Sequence, residues 1–575
     1  MKRILIFILL CCQCVLAVAQ KDAPKWKEKA LKAIVSVTTY GKDGNQQATG
    51  TGFFISETGE AVSSYTLFKG AIKATVTDME GKAMVVESIL GADEMYDVVR
   101  FKVALSKKVA ALTIASLPVA NGTPAYLLPF AKDKNGKIYS GNITEVSKLK
   151  DPFKYYKLAI PLNVNQLNSP LLTADGQVFG LAQADASGKT DICYALSVGY
   201  ASSLTIGSAD YLSSVYTNIG IKKAWPKDFD QANVVLYLMG NMQDAKTRLI
   251  TVNDFIATFP EHSEGYLNRS NLYAYNRKEL ASSQTEQDQY LNMALEDIKT
   301  AAKYSGKKGD MLYNQAKLIY AVASSDTTLN NPAWTIDAAM DMLQKAIKED
   351  NRVEYHQLEG DIYFSKREFQ QAYDAYMLVN NSEGAIPSTY FYAAKALENI
   401  TGFNIGDVIT LLDKAIDKCG NEMGSEAGAY ILERINWKLR LQQYPEAVAD
   451  YNLYYTKVGG QVNSNFYYLR EQAKYHANDL EGSLKDIRSA IMLSPENPDY
   501  YAEEASVCVR MQKYTDALSS LDKAIEIAPN FAACHRLRGV CFVRLGKKKE
   551  ACEALNKAKA LGDPVADKLI KENCK

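Results

Sequence analysis

Histidine is scarce in this sequence, and its few copies lie far apart. The 575 residues contain only His262, His356, His476 and His535. After the first 20 residues the chain also lacks a Cys-x-x-Cys pair, and nowhere does it contain His-Glu-x-x-His. Clusters of these residue types supply the ligands of protein zinc sites. We therefore expect no metal site and no bound cofactor.

An excess of charge of either sign is also missing. Lys and Arg together number 66, Asp and Glu together number 66, and the formal net charge is zero. Nucleic-acid-binding domains carry a basic surplus, so we expect no nucleic acid partner. The apolar share of 47% is that of a globular protein, and 575 residues are too many for one hydrophobic core. At least two domains are expected.

Long apolar runs are absent beyond the N-terminus. The first residues, MKRILIFILLCCQCVLAVAQ, combine a basic start, an apolar run and a small-x-small site at Ala17-Val18-Ala19. These are the features of a secretory signal, which predicts cleavage after residue 19 and export to the periplasm, cell surface or extracellular space. No later run approaches the roughly 18 apolar residues that span a bilayer, so we expect no integral membrane span.

Seven cysteines follow the predicted signal, an odd number that leaves at least one thiol unpaired or paired between chains. Most occupy apolar positions of predicted helices, where a small buried side chain is the alternative to a disulfide. Cys552 and Cys574 are the pair to check first for a disulfide. The seven are Cys193, Cys419, Cys508, Cys534, Cys541, Cys552 and Cys574.

Residues 25–216 read as an all-β domain. Short alternating segments such as KAIVSVTTY are separated by turn dipeptides, among them Asp43-Gly44 and Asp175-Gly176. This spacing is typical of a barrel or sandwich. The acidic pair Asp93-Glu94 is interpreted as ordinary turn residues.

Residues 230–575 read as an all-α domain with an internal repeat, joined to the first domain by a linker over 217–229. Ala490, Ala524 and Ala558 recur at 34-residue steps, and Pro495 and Pro529 keep the same interval. A fixed period of this length is the signature of a helical solenoid.

The repeated segments resemble the tetratricopeptide repeat, because their small residues keep one register. Ala505 and Ala517 occupy the places where two helices approach closely, and Gly539 and Ala551 occupy the same places in the next copy. Looser copies lie upstream, so that about eight to nine repeats are predicted.

The β half resembles the trypsin-like serine proteases, nearest to their bacterial HtrA-type branch. Four segments carry the resemblance in the family's order, and the resemblance implies two six-stranded β-barrels with a cleft between them. The segments are GTGFFI, GEAVSSYTLFKGA, DEMYDVVRFKV and NQLNSPLLTADGQVFG.

The same resemblance assigns the catalytic positions, and two of the three are changed. Asp97 matches the orienting aspartate, whereas Thr66 occupies the place of the histidine and Leu167 that of the nucleophilic serine. Asn165 replaces a glycine of the oxyanion loop. Without a base, an alcohol is a poor nucleophile at neutral pH. No catalytic residue is expected, and the β half is interpreted as a pseudoprotease.

Some alternatives remain open at this point. Ser169, two residues after the nucleophile position, is a candidate outside the family pattern, either alone or in a serine–lysine dyad. Cys193 is a further candidate thiol. Asp97 is either a structural acceptor for backbone N–H groups or a remnant of the ancestral site.

The tetratricopeptide resemblance implies a groove, lined by the first helix of each pair, that binds a peptide or a partner helix. Three arginines on that surface suggest recognition of an acidic segment or C-terminus. The alternative is that these arginines are merely solvated. The predicted binding residues are Tyr468, Gln472, Tyr475, Arg510, Arg536 and Arg544.

The sequence thus favours an exported scaffold or adaptor that binds proteins or peptides. The competing hypothesis is a divergent serine endopeptidase whose repeats recruit substrate. A third alternative makes the β domain a cap on the solenoid and predicts that side chains such as Leu167 and Phe179 fill the old cleft.

Overall fold

The computed structural model describes residues 24–132, 135–420 and 425–574. The predicted signal over residues 1–19 lies outside the described residues. Two compact units divide the chain between Leu272 and Tyr273.

The first unit contains two closed six-stranded barrels, as the family resemblance implies. In the first barrel the strand order is β1-β2-β3-β6-β5-β4, with antiparallel neighbours throughout. Two short helices accompany it, α1 (Lys27–Leu31) and α2 (Tyr65–Phe68). The strands are β1 (Ile34–Tyr40), β2 (Gln46–Phe54), β3 (Glu60–Ser63), β4 (Lys73–Thr77), β5 (Ala83–Asp93) and β6 (Val98–Val103).

The second barrel has the order β10-β11-β12-β9-β8-β7, again antiparallel. A 3-10 turn over Val164–Gln166 precedes β10, and helix α3 (Val198–Ser203) follows β12. The strands are β7 (Pro124–Leu127), β8 (Tyr139–Lys148), β9 (Lys154–Leu158), β10 (Pro170–Leu172), β11 (Val178–Gln183) and β12 (Cys193–Ser197).

The first barrel's core extends beyond its strands. Ile219 and Trp225, in the segment predicted as a linker, are buried in that core. Three further helices follow the second barrel within this unit: α4 (Ser214–Thr217), α5 (Phe229–Gly240) and α6 (Ala245–Thr258). Helices α5 and α6 add the buried side chains Ala232, Val235, Leu236, Val252, Phe255 and Ile256 to the same core. The helical region therefore begins as part of the first barrel's packing.

Helix α7 (Ser263–Tyr275) spans the boundary, and the second unit is all-helical. Seven consecutive helix pairs run from residue 308 to 560, and each pair is in contact. Among the described residues, every helix is too short or too polar for a membrane span. The helices are α8 (Arg277–Leu280), α9 (Gln284–Ser305), α10 (Lys308–Ser325), α11 (Ile336–Glu349), α12 (Val353–Ser365), α13 (Phe369–Asn380), α14 (Pro387–Leu397), α15 (Ile405–Lys418), α16 (Ser425–Arg440), α17 (Tyr444–Lys457), α18 (Ser464–His476), α19 (Leu480–Leu493), α20 (Pro498–Arg510), α21 (Tyr514–Ile527), α22 (Ala532–Arg544), α23 (Lys548–Ala560) and α24 (Ala566–Asn573).

Small residues permit the close contact within each pair. A Cβ atom added to Gly539 would lie 2.6 Å from the Leu555 side chain, and one added to Gly360 would lie 2.6 Å from the Tyr376 ring. Heavy atoms at that distance overlap, so a larger side chain would force the helices apart. The 34-residue register read from the sequence corresponds to this packing.

The chain ends on a covalently tethered helix. Cys552 in α23 and Cys574, the residue after α24, form a disulfide, as expected for the first pair to check. The other five cysteines after the predicted signal are free thiols.

Candidate functional site

The carboxylate of Asp97 lies where the resemblance places the orienting aspartate, and it accepts hydrogen bonds from three groups of one turn. The Ser64 hydroxyl donates to both of its oxygens at 2.7 and 2.8 Å, and the Thr66 N–H donates at 2.7 Å. The Thr66 hydroxyl adds a bond of 2.8 Å. Asp97 thereby caps the start of α2, which agrees with the structural alternative for this residue.

Thr66 therefore lies beside the aspartate, as the family histidine would, but its chemistry differs. Its hydroxyl acts as a donor to Asp97, and an alcohol accepts no proton at neutral pH. Residues 25–216 contain no histidine that could substitute for it. The side chain beside Asp97 thus offers no general base.

The side chain at the nucleophile position is turned into the second barrel. Leu167 is partly buried against the barrel's core cluster, which also contains Leu171 and Phe179. Phe179 packs edge-on to the Tyr156 ring, with ring centres 5.1 Å apart. Leu167 and Phe179, the two side chains named in the hypothesis that the β domain caps the solenoid, thus both pack in the core of the second barrel.

The backbone around Leu167 donates its N–H groups to the chain itself. Gln166 donates to Asn163 O at 2.9 Å, and Leu167 donates to Val164 O at 3.4 Å. Asn168 donates to Ala182 O at 2.9 Å, and Ser169 donates to Gln166 O at 3.3 Å. An oxyanion hole needs N–H groups aimed at the developing negative charge, and these four are already used.

Ser169, the residue before β10, is fully buried. Its Oγ has no hydrogen-bond partner in the part of the chain that the structure describes. A base paired with this hydroxyl, which a nucleophilic serine requires, is therefore missing, and substrate could not reach the oxygen without movement of the loop.

Cys193 is buried within β12. Burial raises the pKa of its thiol to about 12, because the interior of the barrel disfavours the charged thiolate. The thiolate is the nucleophilic form of cysteine, so Cys193 is a structural side chain.

A polar cluster that the sequence reading missed links the two barrels next to this site. Asp93, taken from the sequence as a turn residue, ends β5 and accepts hydrogen bonds from the Tyr200 hydroxyl and from Lys150 at 3.3 Å. Lys150 also lies 3.0 Å from the Tyr200 hydroxyl. Asp93 is therefore more than a turn residue, because its partners lie more than fifty residues away along the chain, in the loop between β8 and β9 and in α3.

Charge complementarity stabilises this cluster. Burial opposes ionisation of Asp93, but the bonds from Tyr200, Tyr96 N–H and Lys150 outweigh it and lower the pKa of the carboxyl group. The bond to Tyr200 raises the pKa of Lys150. On the other side of the same loop, the Gln183 amide donates to Tyr96 O at 2.7 Å. The segment from Asp93 to Tyr96 is thus hydrogen-bonded at both of its ends to residues of the second barrel and of α3.

In the helical array, the predicted binding residues of α18 make contacts with their neighbours. The Tyr468 ring lies 5.5 Å from the Tyr500 ring, and the Gln472 amide donates to Glu471 at 2.7 Å. The guanidinium carbon of Arg510 lies 4.4 Å from the centre of the Tyr475 ring.

Two of the three arginines on this surface already have partners within the array. Arg510 donates to Tyr475 O at 2.8 Å, and Arg536 donates to Asp563 at 2.9 Å. Arg544 is exposed. An acidic ligand would have to compete with these internal contacts, so recognition through all three stays a prediction.

Glu471 is a second feature that the repeat register alone did not bring out. It lies 34 residues before Ala505, at a position where small residues allow close helix contact, yet it is fully buried. The Ser483 hydroxyl donates to it at 2.6 Å, replacing an alanine–alanine contact. Burial, partly opposed by this bond, raises the pKa of Glu471 to about 7.

No group of three or more His, Cys, Asp or Glu side chains suited to a metal ion occurs among the described residues.

Comparison with known proteins agrees with both halves of this description. Residues 50–181 match the family model of the trypsin-like peptidase domain. A protein SGT1 homolog of Oryza sativa subsp. japonica is 29% identical over 105 residues, which are 18% of this chain and 29% of the relative. An Hsp70-Hsp90 organizing protein of Triticum aestivum is 29% identical over 92 residues, 16% of each chain.

The matches span less than a third of either relative's length. They support tetratricopeptide repeats as the identity of the helical array. The chain therefore combines a trypsin-like peptidase domain, built as two six-stranded barrels, with a C-terminal all-helical array of the tetratricopeptide type.

Proposed function

We propose that this protein is an exported, non-catalytic adaptor that binds proteins or peptides through its repeats and carries a pseudoprotease domain. The observation that carries the proposal is Thr66. The resemblance assigns it to the position of the general base, and its hydroxyl is a donor to Asp97. Peptide hydrolysis by a serine needs a base at that position.

Three further observations support the absence of proteolysis. Leu167 packs against a barrel core, and the N–H groups of residues 166–169 are bonded within the chain. The buried hydroxyl of Ser169 has no hydrogen-bond partner among the described residues. A divergent serine endopeptidase, the competing hypothesis, would have to rearrange the whole loop before each turnover.

The binding role rests on the repeats. Arrays of helix pairs present extended surfaces to partner chains. The wheat relative is an organizing protein for Hsp70 and Hsp90, so a protein partner is the kind that this similarity favours.

Export is proposed from the first 20 residues, and the Cys552–Cys574 disulfide supports it because disulfides persist in oxidising compartments. Mass spectrometry of the protein recovered from cell fractions tests this. We expect a chain that begins at Gln20 outside the cytoplasm, and an intact N-terminus in the cytoplasm would contradict export.

A fluorophosphonate serine-hydrolase probe tests the pseudoprotease. We expect no labelling of the purified mature protein and no digestion of casein, with trypsin as the positive control. Labelling that disappears in Ser169→Ala would instead establish a serine endopeptidase with an unusual site.

A further inference from the structure

A pocket with an amide rim lies between the first helices of two consecutive pairs in the array. Its volume is about 410 Å³, and helices α16, α17 and α18 and the loop before α18 contribute to it. We call it the amide-rimmed pocket. It is lined by Leu432, Ile435, Asn436, Tyr451, Tyr454, Gln461, Val462, Asn463, Asn465, Phe466 and Leu469.

None of these side chains is charged, and they divide into two kinds. Ile435, Tyr451 and Phe466 are buried and form an apolar floor, while Leu432 and Leu469 are 39% and 43% exposed. Four primary amides surround them, and an amide can both donate to and accept from a peptide backbone. The pocket therefore suits an uncharged apolar side chain whose own backbone bonds to the rim.

The equivalent place one pair further along the array has the opposite character. Arg434 forms an ion pair with Asp450, and Arg470 forms the equivalent ion pair with Asp486, 36 residues further along the chain. The helix pairs α16–α17 and α18–α19 are therefore equivalent. The next equivalent helix, α20, begins 34 residues after α18. Asn465 and Leu469, which line the pocket on α18, thus correspond to Asp499 and Glu503 on α20. We call these two carboxylates the acidic step.

The acidic step has two carboxyl groups that form no ion pair within the described residues. None of the ion pairs formed among the described residues includes Asp499 or Glu503. Glu503 accepts a hydrogen bond from the Gln472 amide, and Asp499 and His476 are its charged or ionisable neighbours. A cationic side chain on a bound partner would supply the missing countercharge.

We propose that this face binds an extended polypeptide segment with an apolar residue in the amide-rimmed pocket and a Lys or Arg over the acidic step. The inference rests on the proposed binding role of the repeats and names its ligand class. Packed helices lie about 8–10 Å apart and an extended chain rises about 3.3 Å per residue, so the two residues should be roughly three positions apart.

Selection from a phage library of random heptapeptides on the immobilised mature protein tests the inference. We expect enriched sequences with Leu, Met or Phe about three positions from Lys or Arg. Leu469→Asp should remove the apolar preference and Glu503→Gln the basic one. Capture of the wild-type consensus peptide should fall about tenfold in each variant, equivalent to about 1.4 kcal/mol.

Matched controls keep surface effects apart from the pocket. Met492→Asp changes an exposed apolar residue of α19, and Glu526→Gln changes an exposed acid of α21. Both should leave the enriched consensus and its capture unchanged, and circular dichroism should show that all four variants are folded.

Failure of this inference is distinguishable from failure of the binding role. Enriched peptides without the apolar and basic pair, or a consensus that survives both variants, would overturn the inference and leave peptide binding intact. If no peptide is enriched above the vector background, peptide binding by the repeats is itself contradicted.

Discussion

Asp97 illustrates how a residue can keep its place while its role changes. In a working triad its partner is an imidazole, whereas here the partners are Ser64, Thr66 and a backbone N–H. Each of these bonds fixes the turn between β3 and α2, and an aspartate is needed to accept all of them. Asp97 therefore has a structural role that does not depend on a catalytic triad.

Replacing Asp97 tests this structural role. Asp97→Ala leaves the Ser64 hydroxyl and the Thr66 N–H unpaired in a partly buried turn, so we expect a loss of roughly 1–3 kcal/mol in the free energy of unfolding of the first unit. Urea unfolding followed by fluorescence measures it. The exposed Asp191→Ala is the control, and equal stability of the two variants would show that Asp97 has no structural role.

Glu471 predicts a pH dependence whose sign follows from its raised pKa. Its pKa is about 7 in the folded state against an ordinary value of 4.5, so the folded state binds the proton more tightly. Stability should then fall as pH rises from about 4.5 to about 7, and the full penalty should remain above that range. Glu503 and Asp486 nearby act in the same direction on Glu471.

Glu471→Gln tests this sign, because the amide retains an acceptor for Ser483 and cannot ionise. We expect it to stabilise the array by roughly 1–3 kcal/mol at pH 8 and to have little effect at pH 4. Thermal unfolding across that range measures the difference. Glu481→Gln, an exposed change in the same helix pair, should show no such trend, and an equal trend in both would refute the assignment to Glu471.

At the scale of elements, periodic sequence patterns predicted the strands and helices, whereas contacts between distant parts of the chain could not be predicted. Two-residue alternation with turn dipeptides identified an all-β domain of barrel or sandwich type, and the 34-residue step of Ala490, Ala524 and Ala558 identified the helical solenoid. Both are local patterns that backbone geometry imposes directly. The family resemblance then assigned the three catalytic positions to Thr66, Asp97 and Leu167.

The site details that escaped the sequence depend on the path of the chain. The role of Asp93 is set by Lys150 and Tyr200, which no spacing in the sequence connects to it. The bonding of the N–H groups of residues 166–169 depends on the 3-10 turn before β10. Likewise the amide-rimmed pocket combines residues of three helices, and no single motif contains them.

The terminal helix α24 gives a prediction at this scale. The Cys552–Cys574 disulfide closes a loop with a sequence separation of 22 residues, which contributes about 3 kcal/mol in the chain-entropy model. Asp563 also holds this end, since it accepts from Arg536 and from the first N–H groups of the helix. The helix should therefore loosen but not detach when the disulfide is removed.

Hydrogen exchange of the double variant Cys552→Ser and Cys574→Ser measures that loosening. We expect faster exchange confined to the amides of α24 and the end of α23, with the upstream pairs unchanged. Cys419→Ser, a free thiol elsewhere in the array, is the control. Unchanged exchange in α24 would show that noncovalent contacts alone hold it.

At the scale of the whole molecule, the core of the first barrel extends past the last strand, so the C-terminal boundary of the β folding unit has to be located. A sequence reading places that end at residue 216, where the alternating pattern stops. The core nevertheless includes Ile219, Ile221 and Trp225, and the Trp225 indole donates to Asp254 of α6 at 2.9 Å. Helices α5 and α6 cover apolar surface that the strands cannot cover themselves.

Two fragments decide the question. The fragment 24–262 retains α5, α6 and the stacking of His262 on Phe229, whose ring centres are 3.6 Å apart, and it should unfold cooperatively as a monomer. The fragment 24–216 exposes the face that Trp225, Val235 and Phe255 cover, and burial of each large apolar side chain is worth roughly 1.5–3 kcal/mol. We expect this shorter fragment to aggregate or to melt broadly at a lower temperature. Calorimetry with light scattering compares them, and equal melting temperatures would mean that the barrels fold without the first helices of the array.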